Sequence, residues 1–391
     1  MNDFPKILVI YLPVDWNLFN RREMVHALAE SVKKYGSTVI AVNRPLCPFT
    51  TIITKRHRVK ELFLPSRIEK LQDNLILFSP KYFLHDHLAG RIRLFEKMNS
   101  ALLRKSLTKL FRQTDISCDK PLVWYNYPQQ GYIYEIFDSS FIIFEIYDFL
   151  SDISGRENQE LNNLERKYKG KVDLFLTASE VLHKKYSSAY KNSFIFGNGL
   201  SLTTYETLKN IQPRQRSKTD RPKIGYSGMV SNRLDWDLIE QIAINKPEWD
   251  IIFYGLIANP SIPEKLRRYK NIIFHGPFTQ KDLPSILSKF HVGILPYSNN
   301  EFSQHLNPLK FFEYAAAGLP IVSTSILELE RFSDSLISIP DYNADKWIEA
   351  IEKQLSVDRL EMKTIGLAIA EKYTWDNLCE KLIIEIKKLY S

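Results

Sequence analysis

Short apolar runs alternate with helical stretches twice over in this chain, and a polar segment separates the two sets. The first set comprises Lys6–Leu12, Thr38–Val42, Asn74–Phe78, Leu122–Tyr125, Phe141–Tyr147, Val172–Thr177 and Ser193–Phe196. The second comprises Ile224–Tyr226, Ile251–Tyr254, Ile272–Phe274, Val292–Leu295, Ile321–Ser323 and Leu336–Ile339. Runs of this kind, nearly continuous in apolar and β-branched residues, suit strands buried on both faces. Strands joined through helices imply mostly parallel, doubly wound sheets. The expected fold class is therefore α/β. Residues 205–222 are polar, without apolar period, and read as a linker. The expected division is one doubly wound domain over 1–204, a second over 223–372, and a closing helix over 373–391. At 391 residues the chain exceeds one ordinary core, which agrees with two domains.

Within the first set, Asn20 reads as the cap of a helix running to Tyr35, with Glu23 completing a capping box and Gly36 ending it. The N-terminal apolar run, Ile7 to Leu12, is too short for a signal peptide core or a membrane span, and no later segment is long and apolar enough to cross a bilayer. Three dispersed cysteines, Cys47, Cys118 and Cys379, give no disulfide framework. A cytoplasmic location is the expectation from both. His85 and His87 bracket Asp86, but no further ligands follow at zinc spacing, so no metal site is expected.

The most informative stretch is residues 305–324, His-Leu-Asn-Pro-Leu-Lys-Phe-Phe-Glu-Tyr-Ala-Ala-Ala-Gly-Leu-Pro-Ile-Val-Ser-Thr. Asn307 suits an N-cap and Pro308 the first helical position. Gly318 suits the left-handed cap, and a buried strand follows. Lys310 falls in the first turn, where free N–H groups and the dipole already favour an anion. Glu313, three residues on, shares its face. A cationic helix start with a carboxylate one turn away suits a nucleoside diphosphate, the pyrophosphate at the N-terminus and the ribose diol on the carboxylate. The same pair would also suit an ordinary amphipathic helix with a surface ion pair.

This stretch resembles the donor-binding signature of GT-B glycosyltransferases, particularly the retaining family 4 and related bacterial polysaccharide enzymes: Pro-Leu-Lys, two residues, Glu-Tyr, a small-residue run, Gly, any residue, Pro, then a strand. The resemblance implies two Rossmann-like domains facing a central cleft, with the final helix packed back on the first domain. It implies a glycosyltransferase that moves a sugar from a nucleoside-diphosphate donor to a saccharide or lipid-linked acceptor in surface polysaccharide biosynthesis. Retention of configuration and independence from metal ions and cofactors are implied with it. Leu309, Lys310 and Glu313 take the donor-binding positions, with Asn307 beside them. His305 stands where family members often carry a second glutamate, and remains able to hydrogen-bond the sugar or phosphate. A non-catalytic GT-B-like binding protein and a sugar-nucleotide epimerase on the same scaffold are the alternatives.

Other segments add to this reading. Lys223-Ile-Gly-Tyr-Ser-Gly-Met-Val-Ser-Asn-Arg-Leu-Asp gives strand, glycine turn and helix start. There Gly228 permits close backbone approach, Asp235 caps the helix, and Arg233 is either a phosphate-binding fork or a solvated side chain. In Asn271-Ile-Ile-Phe-His-Gly-Pro-Phe, Gly276 and Phe278 are candidates for holding the nucleobase, although Phe278 equally suits a core. Asp148, ending a strand, and Asp152, in the following loop, are candidates for orienting the acceptor hydroxyl, or simply loop caps. Arg21 and Arg22 open the first helix and are placed to complement the pyrophosphate from the acceptor side. The expected catalytic set is Arg233, Lys310 and Asp148.

Charge is uneven. Residues 55–112 carry 14 basic and 5 acidic side chains. Between Leu88 and Phe111 an apolar helical stripe at positions 88, 92, 95, 98, 102, 103, 107, 110 and 111 is interleaved with Arg91, Arg93, Lys97, Arg104, Lys105, Lys109 and Arg112. This tract suits peripheral contact with an anionic membrane, or a solvated face over a core-packed stripe. No nucleic-acid-reading module accompanies it.

Overall fold

The computed structural model describes residues 4–54, 56–63, 66–81, 85–86, 91–114, 116, 120–150, 158–213, 217, 219–333 and 336–390. Two compact units are present: one runs to Gly197 and takes in the C-terminal residues from Leu378, and the other spans Asn198–Asn377.

The first unit is built on eight strands: β1 (Ile7–Tyr11), β2 (Thr38–Val42), β3 (Arg67–Gln72), β4 (Leu75–Ser79), β5 (Leu122–Tyr125), β6 (Phe141–Ile146), β7 (Leu174–Thr177) and β8 (Ser193–Ile195). Their order across the sheet is β3-β4-β2-β1-β5-β6-β7-β8. β1 pairs in parallel with both β2 and β5, in register Ile7↔Thr38 and Leu8↔Leu122. β3 is antiparallel to β4 and was not expected. Its sequence, RIEKLQ, is charged and half exposed, which suits an edge that must not recruit another chain but gives no buried-strand signal.

The first helix begins at Arg22, not after Asn20, and its cap position is Arg21 without a side-chain cap bond. The reason lies in Arg21 itself. It is 2% exposed and ion-paired with Glu145, a carboxylate on the fully buried strand β6. Trp124 Nε1 donates to the second Glu145 oxygen at 3.1 Å. Removing one member of a buried pair strands the charge of the other, so Arg21 is held in the scaffold by Glu145. The last helix, Trp375–Leu389, enters the first unit at Leu378. There Glu380 accepts from Lys34 Nζ at 2.7 Å, and Tyr390 donates to the Lys120 carbonyl at 2.5 Å.

The second unit carries six strands, all parallel: β9 (Lys223–Ser227), β10 (Asp250–Tyr254), β11 (Ile272–Phe274), β12 (Val292–Leu295), β13 (Ile321–Ser323) and β14 (Ile337–Ser338). The order is β11-β10-β9-β12-β13-β14. β9 and β12 are therefore neighbours from which the chain winds in opposite directions. Such a switch point leaves a crevice beyond the strands' carboxyl ends. The segment expected as a linker begins as a helix, Leu202–Lys209, whose Tyr205 and Leu208 are buried. Two apolar residues three apart were too few to register as a period.

Candidate active site

Beyond the carboxyl end of β9 the chain turns at Gly228, with φ +150°, a conformation open in practice only to glycine. A β-carbon there would stand 1.9 Å from Lys310 Cε and 2.6 Å from Nζ. The lysine side chain thus lies across the turn, at the switch point between β9 and β12. Next to it, Gly255 follows β10 with φ +150°, and a β-carbon at 255 would stand 1.8 Å from the Gly228 carbonyl oxygen. Gly255 N–H donates to the Gly276 carbonyl at 2.7 Å, and Gly228 N–H to the Tyr254 carbonyl at 2.8 Å. Three successive strand ends are joined through main chain.

Lys310 belongs to the helix Leu309–Ala316. Pro308, not Asn307, occupies its N-cap, so the helix starts one residue later than expected and Asn307 lies outside it. Asn307 is buried, and its carbonyl accepts from Asn198 Nδ2 at 2.7 Å. The C-terminus follows the sequence: Gly318, with φ +67°, donates to the Ala315 carbonyl at 2.9 Å, and Leu319 to that of Tyr314 at 2.9 Å, a Schellman closure. Two buried cations from the helix Arg359–Lys372 cover this end. Lys363 Nζ donates to the Ala316 carbonyl at 2.8 Å and Arg359 Nε to that of Gly318 at 3.0 Å, complementing the helix dipole. Tyr314 ties the helix to β9, its hydroxyl accepting from Ser227 N–H at 2.8 Å.

Lys310 makes no hydrogen bond or ion pair among the described residues; its ammonium lies 5.5 Å from the centre of the Tyr226 ring. Burial opposes its charge, but Tyr297 and Glu313 more than offset this and hold its pKa above the ordinary lysine value. Glu313 is 7% exposed. Burial raises its pKa, while Lys310 and a hydrogen bond from Gln280 act to lower it. Arg233, exposed, stacks 4.4 Å over Phe302, and its charge reaches Lys310 and Tyr226. Asp235 caps the next helix as expected, accepting from Leu238 N–H at 3.0 Å.

The structure thus brings together Gly228, Arg233, Lys310 and Glu313 in one unit. Leu309 is half-buried against the same core. Gly276 has φ +76° and open space before it. Phe278 packs half-buried on the core, which favours a scaffold role. His305 ends the short helix Glu301–Gln304, its Nδ1 donating to the Glu301 carbonyl at 2.7 Å. Asp148 and Arg22 are exposed on the first unit, Asp148 just after β6. Asp152, like His87 and Cys118, lies outside the described residues. Asp86 is buried and accepts from the Tyr11 and Tyr132 hydroxyls, and His85 contacts Arg44.

The whole backbone aligns with solved GT-B structures. Sucrose-phosphate synthase from Thermosynechococcus elongatus superposes with a TM-score of 0.70 at 12% identity, covering 98% of this chain and 99% of that one. HepE from Anabaena, solved in complex with UDP and glucose, gives 0.65 at 13%, covering 99% and 100%. Residues 221–356 match the family model for Glycosyl transferases group 1, a span that contains every residue of the second-unit cluster described above. The chain is a GT-B glycosyltransferase. A Bacillus subtilis (strain 168) protein, TuaH, named as a glycosyltransferase of teichuronic acid biosynthesis, is 24% identical over 398 residues, covering 96% of each chain.

Four residues of this glycosyltransferase's cluster escaped the sequence: Gly255, Tyr226, Tyr297 and Gln280. Gly255 directly follows a strand run, as Gly228 does, and that repetition was a usable signal.

Proposed function

We propose that this glycosyltransferase takes a sugar from a nucleoside diphosphate and passes it to a saccharide or lipid-linked saccharide of a surface polysaccharide. Retention of anomeric configuration, without a metal ion or other cofactor, completes the proposal. The observation that carries it is the Lys310 ammonium, laid over Gly228 at the switch point and one helical turn from buried Glu313. A diphosphate seated there would meet that ammonium, the free N–H groups of the Leu309–Ala316 helix and the Arg233 fork, all aimed where charge grows as the sugar–phosphate bond breaks. Glu313 accepts from the ribose diol, and His305 hydrogen-bonds the sugar or phosphate. In a same-face reaction the departing phosphate takes the acceptor proton. The name of the Bacillus subtilis relative supports the polysaccharide assignment.

Membrane contact through the basic tract is part of the proposal. Of the stripe, Leu103, Leu107, Leu110 and Phe111 on the helix Arg93–Thr114 are buried, while Met98 and Leu102, with Leu94 and with Ile92 just before the helix, are exposed. Lys97, Lys105, Lys109 and Arg112 form no ion pair among the described residues and line a groove of 1090 Å³. Exposed apolar and unpaired cationic side chains on one face suit an anionic bilayer surface. No helix among the described residues is long and apolar enough to cross a membrane.

A thermal-shift panel of UDP-, GDP-, dTDP- and ADP-sugars tests the donor, followed by NMR of the product anomer with and without EDTA. One donor should stabilise the protein and yield a product of unchanged configuration in EDTA. Stabilisation by none of them would refute the donor assignment.

A further inference from the structure

The exposed face of the helix Arg93–Thr114 is divided along its length. Leu94, Met98, Leu102, Lys105, Lys109 and Arg112 follow one another at spacings of three or four, so they form one row on one side of the helix. All six are exposed. The first three are apolar, and the last three are cations without an ion pair among the described residues. Arginines around the apolar half are paired: Arg91 with Glu160 at 2.6 Å, Arg93 with Glu96 at 3.3 Å and with Glu135, and Arg104 with Asp138 at 3.1 Å. Lys97 is unpaired but stands off the row, and its stem is long enough to carry the ammonium to water. The two halves also differ in place. Ser100 Oγ donates to the Tyr132 carbonyl at 3.3 Å and Arg104 to that of Glu135 at 2.6 Å, and the segment Pro128–Glu135 follows the carboxyl end of β5. Thr114, at the other end, leads into the chain that enters β5 at Leu122. The apolar half therefore lies at the carboxyl-end side of the first sheet, and the cationic half toward the amino-end side.

We propose that this helix meets an anionic bilayer obliquely, amino-terminal end first, with Leu94, Met98 and Leu102 in the acyl boundary and Lys105, Lys109 and Arg112 at the depth of the lipid phosphates. This rests on the membrane contact proposed above, to which it gives a direction. A helix lying flat in the interface carries its apolar stripe along its whole length, with cations on the other face. Here the change comes along the axis instead. Met98 and Lys109 are eleven residues apart, about 16 Å of helix, and laid flat they would sit at one depth. A tilt gives each half its own solvent. Pairing of the arginines at the entering end lowers the cost of bringing their charges close to hydrocarbon. The same tilt turns the carboxyl-end edge of the first sheet toward lipid. That edge holds the sheet's own switch point, between β1 and β5, and a lipid-linked acceptor would arrive from that side.

Depth measurement separates a tilted helix from a flat one. Met98→Cys and Lys109→Cys, each made in a Cys118→Ser chain and carrying a nitrobenzoxadiazole label, are bound to vesicles containing phosphatidylserine. Nitroxides fixed at the headgroup or deep in the acyl chain then quench the label. The remaining cysteines, Cys47 and Cys379, are buried. The label at position 98 should lie roughly 5–10 Å deeper than the label at position 109. The first should be quenched chiefly from the acyl chain and the second chiefly from the headgroup. Leu94→Gln and Leu102→Gln together should bring the label at position 98 up to the depth of the other; an unchanged depth means that the label inserts by itself and overturns the inference. Equal depths at the two positions, or the reverse order, also overturn it and leave the membrane contact standing. Failure of the wild type and of every variant to bind the vesicles overturns both.

Discussion

Lys310 and Gly228 occupy each other's space: the lysine's Cε lies 1.9 Å from where a β-carbon on residue 228 would be. Gly228→Ala should therefore displace the same ammonium that Lys310→Ala deletes. Each should cost roughly 1.5–3 kcal/mol of transition-state stabilisation, about 10- to 100-fold in kcat/KM. The double variant should be no worse than the poorer single one. Initial rates decide it; losses that multiply would mean two unrelated defects.

Glu313→Gln should act in opposite directions on stability and on function. Burial raises the Glu313 pKa, so the folded state favours its protonated form. The stability this contributes is full below the ordinary glutamate pKa and is lost as pH rises through the folded value. The variant escapes that loss. Its melting temperature should exceed the wild type's at pH 7 and converge with it near pH 4, while nucleoside diphosphate affinity falls. Parallel melting curves across that range would contradict the assignment.

Asp86 offers a similar test in the first unit. Burial pushes its pKa up to about 6, against hydrogen bonds from Tyr132 and Tyr11 that lower it. Relative to Asp86→Asn, the wild type should lose stability as pH rises from about 4 to about 6, by at most about 3 kcal/mol. Chemical denaturation at pH 4 and pH 7 measures it. An equal difference at both pH values would remove Asp86 as the titrating group.

Replacing Lys97, Lys105, Lys109 and Arg112 by Gln should weaken association with vesicles containing phosphatidylserine. At about 1 kcal/mol per cation near the surface, the four together amount to roughly 4 kcal/mol, close to a thousandfold. Wild-type binding should also fall with added salt. Undiminished co-sedimentation of the variant would exclude this face as the membrane contact.

Much of the parallel scaffold was legible because buried strands announce themselves as uninterrupted apolar runs; β5, β11, β12 and β13 begin and end where those runs do. β3 was not legible, because an edge strand draws its stability from one neighbour and its sequence is written for solvent. The Lys310–Glu313 helix was readable from its Gly318 closure, whose left-handed residue leaves few alternatives. Its start was misplaced by one residue because Asn307 matches the cap preferences, whereas the structure places Pro308 there without any side-chain cap bond. Arg21 looked free for a ligand since its partner, Glu145, is 124 residues away in sequence. Long-range pairing of that kind leaves no local trace. Gln280 was hidden for the same reason.

The contact between Gly255 and the Gly228 carbonyl limits how this enzyme could change its substrate. Across β9 and β10 the surface offered to a ligand is bare peptide, and any side chain introduced there would collide before it could discriminate. New preferences must arise at the margins instead, from residues such as His305, so divergence among similar enzymes should concentrate there while the peptide floor stays fixed.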